Sequence, residues 1–179
     1  MKIAYRLLLV SAAAICVSSI VQAQAPAPDS ATSDGTDAPA ADPTAFVKGA
    51  AMGALAEVEL AKLARSKSQN ATIRSFADRM IRDHGKANTE LAAIARRKGF
   101  DVPTSLNSQD EDVVKEGAAR SGMQFDAWYA SRMVIEHEKA VALFESATMS
   151  ADADLAAFAR KTLPTLREHQ QMAAKLPGT

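Results

Sequence analysis

The chain has a single cysteine, Cys16, in 179 residues. That excludes an internal disulfide framework and a thiolate metal cluster. Formal net charge is zero and aromatic residues make up 5% of the chain. A sequence without charge bias has no electrostatic footprint for nucleic acid, so that partner class is set aside. There is no glycine-rich phosphate loop and no Gly-x-Ser-x-Gly elbow. Ser66, Ser68 and Ser75 show no triad spacing. No catalytic residue is nominated, and the chain reads as a binding or structural protein before an enzyme. No apolar run approaches the roughly 20 residues of a membrane-spanning helix.

The longest apolar run covers residues 7–15 and follows Lys2 and Arg6. With small residues at 21–23, it has the layout of a secretory signal peptide, residues 1–23. Cleavage after Ala25 is the alternative to cleavage after Ala23. Ile15 stands where lipidation at Cys16 would call for a small residue. This places the protein in the periplasm or outside the cell, with no integral span after cleavage. Residues 24–43 contain Pro26, Pro28, Pro39 and Pro43 and no large apolar side chain. Such a segment cannot bury enough surface to offset chain entropy and reads as a disordered linker. Residues 44–177 then form one domain.

That domain is all-α. Apolar residues recur at helical spacing over 44–65, 71–98, 124–148 and 152–176. Thr44 and Asn70 are the expected N-caps, Gly99 is the expected C-cap, and Pro164 should kink the last helix. Short loops within the first and last pairs predict antiparallel hairpins. The connection 99–123 is long enough to run the length of a bundle and has room for a short helix over 109–119. One long crossover between the second and third long helices is the plan of a ferritin-like four-helix bundle.

Histidine is scarce as well: the chain has three. Two occupy the same place in a repeated phrase. Ala77-x-Arg79-Met80-Ile81-x-Asp83-His84-x-Lys86-Ala87 reappears as Ala130-x-Arg132-Met133-Val134-x-Glu136-His137-x-Lys139-Ala140. The third, His169, also follows an acid, Glu168. Each histidine shares a helical face with apolar residues, so all three should point at the core. Glu57 falls on the apolar stripe of the first helix, with Glu59 as a competing carboxylate. His169 lies well past the midpoint of its helix, so its reach to the other two is the open point.

A carboxylate in an apolar stripe is costly unless paired or metal-bound, and neutral imidazole is a common metal ligand. The candidate ligands are therefore Glu57, His84, His137 and His169. Asp83, Glu136 and Glu168 are the candidate outer partners that orient them. Met80, Met133 and Met172 share faces with the histidines and would add thioether ligands suited to copper. The alternative is a layer of core polar residues that fixes helix register in a structural or interaction module, with no metal. Di-iron bundles use Glu-x-x-His, but the residues three before the histidines are Ile81, Val134 and Leu166. Copper or zinc therefore fits better than a di-iron centre. Oligomeric state and protein partners are not readable; a homo-oligomer stays open.

The order of these phrases resembles a known family. Glu57-x-Glu59-Leu60-Ala61-Lys62-Leu63-Ala64, Phe76-Ala77, Asp83-His84, Phe125-Asp126-x-x-Tyr129, Glu136-His137-x-Lys139-Ala140 and Leu163-Pro164-x-Leu166-x-x-His169 are similar to the ferritin-like family catalogued as domain of unknown function 4142. Its members are often labelled outer membrane proteins. The resemblance implies a secreted or periplasmic helical bundle and no assigned activity. The sequence lacks the alternating pattern of a membrane β-barrel.

Overall fold

The computed structural model describes residues 42–178. They form five helices: α1 (Pro43–Lys67), α2 (Ala71–Lys98), α3 (Ser108–Ala118), α4 (Gly122–Ala147) and α5 (Ala153–Ala173). No strand occurs among the described residues. The start of α1 corrects one expectation: Asp42, not Thr44, is its N-cap. The Asp42 carboxylate accepts from the Thr44 and Ala45 amides. Pro43 then sits in the first turn, where its missing N–H costs nothing. Asn70 caps α2 as expected, and Gly99 ends it with φ 76°, a left-handed geometry that glycine adopts without strain. Helix α5 continues through Pro164.

Four long helices make the bundle. α1 packs on α2 and α4, and α5 packs on α4 and α2. Phe46, at the start of α1, meets Phe144 at the end of α4 and Phe158 at the start of α5. It shares a cluster with Leu91 and Ile94 at the end of α2. The opposite end gathers Leu60 of α1, Ile73 and Phe76 of α2, Phe125 and Tyr129 of α4, and Ala173 of α5. So α1 runs antiparallel to α2 and α4, and parallel to α5. The chain leaves α2 at one end of the bundle and enters α4 at the other. The segment between them must therefore travel its length, which is the long crossover of the ferritin-like plan.

Helix α3 fastens that crossover. The Trp128 ring lies where a Cβ on Gly117 would stand, 2.5 Å from its atoms, so only glycine fits there. Trp128 Nε1 donates to Glu116 (3.2 Å), and the Arg120 guanidinium lies over the indole at 5.3 Å. Lys67 of α1 donates to the Ala118 carbonyl at 2.7 Å.

The core is two apolar clusters, one at each end. On α1 the first ends at Ala51 and the second begins at Leu60. On α2 the switch falls between Met80 and Leu91, on α4 between Met133 and Val141, and on α5 between Leu166 and Ala173. Each long helix places one buried polar residue in that gap: Glu57, His84, His137 and His169.

Candidate metal site

These four residues form a polar layer across the middle of the bundle. Glu57 is 3% exposed, His84 5%, and His137 and His169 are fully enclosed. The rings meet pairwise, with centroids 5.7 Å apart for His84–His137, 5.3 Å for His84–His169 and 5.5 Å for His137–His169. One ring nitrogen from each lies within 4.8 Å of those of the other two. Phe76 closes the layer on the second-cluster side, 6.2 Å from His137 and 6.3 Å from His169.

Each ring is held through one nitrogen. His84 Nδ1 lies 2.9 Å from Glu57 Oε2. His137 Nδ1–H donates to the Met133 carbonyl one turn earlier, at 2.8 Å, and stands 3.7 Å from Glu57 Oε1. His169 Nε2–H donates to Asp83 at 2.9 Å across the α2–α5 interface. The second nitrogen of each ring, His84 Nε2, His137 Nε2 and His169 Nδ1, is buried with no hydrogen-bond partner. Orienting an imidazole through one nitrogen leaves the lone pair on the other. That is how proteins prepare histidine to bind a metal.

The charges follow from the contacts. Burial pushes the Glu57 pKa up, but the imidazoles, His84 above all, outweigh it and leave Glu57 below the usual carboxylate value. Burial opposes a charge on His84, yet the Glu57 carboxylate prevails and its pKa rises above 6.5. His137 goes down, because burial dominates the pull of Glu57. His169 is pushed down to about 4 by burial, with the His84 charge adding to it. The layer thus favours charge on His84, beside Glu57, and disfavours it on His137 and His169.

Several expected partners lie elsewhere. Asp83 does orient a histidine, but His169 rather than its neighbour His84. Glu136 pairs with Arg132 at 3.0 Å and Lys139 at 3.3 Å, and Glu168 pairs with Arg79; neither bonds a histidine. The reason is helical geometry: consecutive residues point about 100° apart. An acid next to a core-facing histidine must face a neighbouring helix or water. Glu59 pairs with Lys62 at the surface, which leaves Glu57 as the carboxylate of the layer. Met80 and Met133 pack in the second apolar cluster, and the Met172 sulfur accepts from Arg79 at 3.4 Å. His169 reaches the layer although near the end of its helix. At 21 residues α5 is the shortest of the four long helices and stops one turn later.

Two residues were not among the site candidates of the sequence reading, Tyr129 having entered it only through a family phrase. Asn88, one turn after His84 on the same face, has a buried Oδ1 without a partner. Tyr129, two turns before His137, has an unpartnered buried hydroxyl, and its pKa is raised by burial and by the charge of Glu57. Their signal was polar atoms at i+4 and i−8 from a core histidine.

Residues 27–176 match the profile of the family described as domain of unknown function, DUF4142. The chain belongs to the DUF4142 family. Among solved structures, a DUF305 fragment from Deinococcus radiodurans superimposes with a TM-score of 0.66 at 19% identity. The match covers 76% of this chain and 97% of that one. At that identity the likeness speaks for the fold. No curated protein matches the chain. Among the described residues, no helix of this DUF4142 protein is long and apolar enough to cross a membrane.

Proposed function

We propose that this protein binds one divalent late transition metal, zinc or copper(II), through His84 Nε2, His137 Nε2 and His169 Nδ1. The supporting observation is the trio of orphaned nitrogens, one from each of three helices. A layer built only to fix helix register would pair its buried polar atoms, because each left unmade costs about 1–3 kcal/mol. Imidazole donors suit both ions, and no thiolate or thioether stands among them. Around a tetrahedral ion, nitrogens at about 2.1 Å lie about 3.4 Å apart, and one nitrogen of each of the three rings already lies within 4.8 Å of the others. Glu57 offers a single carboxylate, which does not suit a di-iron centre. A metal competes with protons for these imidazole nitrogens, so affinity should fall as pH is lowered. The leader-like residues 1–23 support a role in the cell envelope. Activity stays unassigned.

The test is zinc and copper(II) titration of chelator-stripped protein, with elemental analysis after gel filtration. The expected result is one equivalent retained, and affinity lower by at least about 100-fold in His84→Ala and His169→Ala. No stoichiometric uptake, or equal uptake by the variants, would return the layer to a register-fixing role. N-terminal sequencing of the exported protein would check cleavage after Ala23.

A further inference from the structure

A cavity of about 190 Å³ lies against one side of the polar layer and extends into the first apolar cluster. Its body is apolar, walled by Ala54, Leu91, Phe144 and Phe158 from the four long helices. Six polar side chains also line it: Glu57, His84, Asn88, Glu136, Lys139 and Thr162. Glu57 is 3% exposed, and its Oε1 has no hydrogen-bond partner; neither has Asn88 Oδ1. Gly53, exposed on α1, lies on the cavity wall with open space where a Cβ would stand.

We propose that this cavity binds a small neutral aromatic molecule bearing one hydrogen-bond-donating head, of the phenol type, with the head on Glu57 Oε1. The size supports this: an apolar cavity of about 150 Å³ accommodates benzene. A wholly apolar ligand would leave the buried carboxylate oxygen without a donor, which costs affinity. An anionic ligand would meet the carboxylates of Glu57 and Glu136, and Lys139, the basic side chain of the lining, is already paired with Glu136 at 3.3 Å. A neutral donor on a six-membered ring satisfies all three conditions, and the Phe144 and Phe158 rings offer it aromatic contacts. The site stands whether or not the imidazoles hold a metal, because Glu57 Oε1 is not the oxygen engaged by His84.

The experiment uses the full-length mature protein stripped of metal and kept in chelator. Phenol, toluene and benzoate are titrated by ligand-observed NMR and calorimetry. Phenol should saturate with a dissociation constant below about 1 mM, a reasonable value for so few heavy atoms. Toluene, which replaces the hydroxyl by methyl, should bind at least about tenfold more weakly, and benzoate should not bind. Gly53→Leu projects into open space and removes a helix glycine, so it should fold. It should weaken phenol at least about tenfold while zinc uptake by the loaded protein stays unchanged. No saturable phenol binding, toluene binding as well as phenol, or equal phenol affinity in Gly53→Leu would overturn the proposal. Because the titration is done without metal, loss of the zinc site elsewhere would not affect its outcome.

Discussion

Helices α2 and α4 carry the same phrase, yet their histidines behave oppositely. His84 and His137 occupy the same slot, each one turn after a buried methionine and followed by a Lys-Ala pair. His84 finds the Glu57 carboxylate at 2.9 Å, and its pKa rises. His137 gives its Nδ1–H to a neutral carbonyl, and its pKa falls. The acids before them diverge too. Asp83 reaches across to His169, while Glu136 faces its own helix's Arg132 and Lys139. A repeated phrase thus sets depth and height within the bundle. The neighbouring helix decides the chemistry.

Removing the shared partner should erase that contrast. Glu57→Ala breaks the buried Glu57–His84 contact and should lower stability by about 3–5 kcal/mol in denaturant unfolding. In the same variant His84 should titrate below 6.5, as His137 does. If His84 still titrates above 6.5, Glu57 is not the source of the difference.

Acid should produce the next largest effect. His169 is held neutral down to about pH 4 in the fold, against 6.5 when unfolded. The groups facing it are Asp83 and His84 from α2 and His137 from α4. Below 6.5 the unfolded chain takes up a proton that the fold refuses. The stability is therefore complete above 6.5 and lost as pH falls to about 4, by roughly 3 kcal/mol. His137 adds to the loss in the same direction. His84 has the opposite sign: its contribution is present below 6.5 and fades as pH rises through its higher folded value. Unfolding curves from pH 8 to 4 should show net destabilisation on the acid side, and a flat profile would contradict the assignment.

The two acids provide a smaller and sharper contrast. Asp83→Asn weakens the grip on His169 Nε2 and should cost about 10- to 100-fold in zinc affinity. Glu136→Gln touches no imidazole and should change it less than about twofold. Equal losses would mean that the phrase itself, not the cross-helix contact, carries the function. Smallest of all, Met80→Leu and Met133→Leu keep core volume and should cost under about 1.5 kcal/mol of stability, leaving copper affinity unchanged.

The bundle was legible because apolar residues mark one face of each helix, and caps such as Asn70 and Gly99 are chemical signals. The layer was legible for a related reason: Glu57, His84, His137 and His169 interrupt apolar stripes. What the sequence did not disclose was pairing between helices. Nothing local says that Asp83 serves a histidine on α5, or that Asn88 and Tyr129 bring orphaned polar atoms to the same interior. Those facts depend on rotation and height of packed helices, which a single-chain pattern does not encode.

The central claim is that three imidazoles present three defined nitrogens to one ion. Side-chain ¹⁵N NMR of histidine-labelled protein, recorded before and after one equivalent of zinc, tests it most directly. The account predicts coordination shifts at His84 Nε2, His137 Nε2 and His169 Nδ1, with the remaining nitrogen of each ring still protonated. Rings whose spectra ignore zinc, or that bind through the nitrogens held by Glu57, Met133 and Asp83, would contradict it.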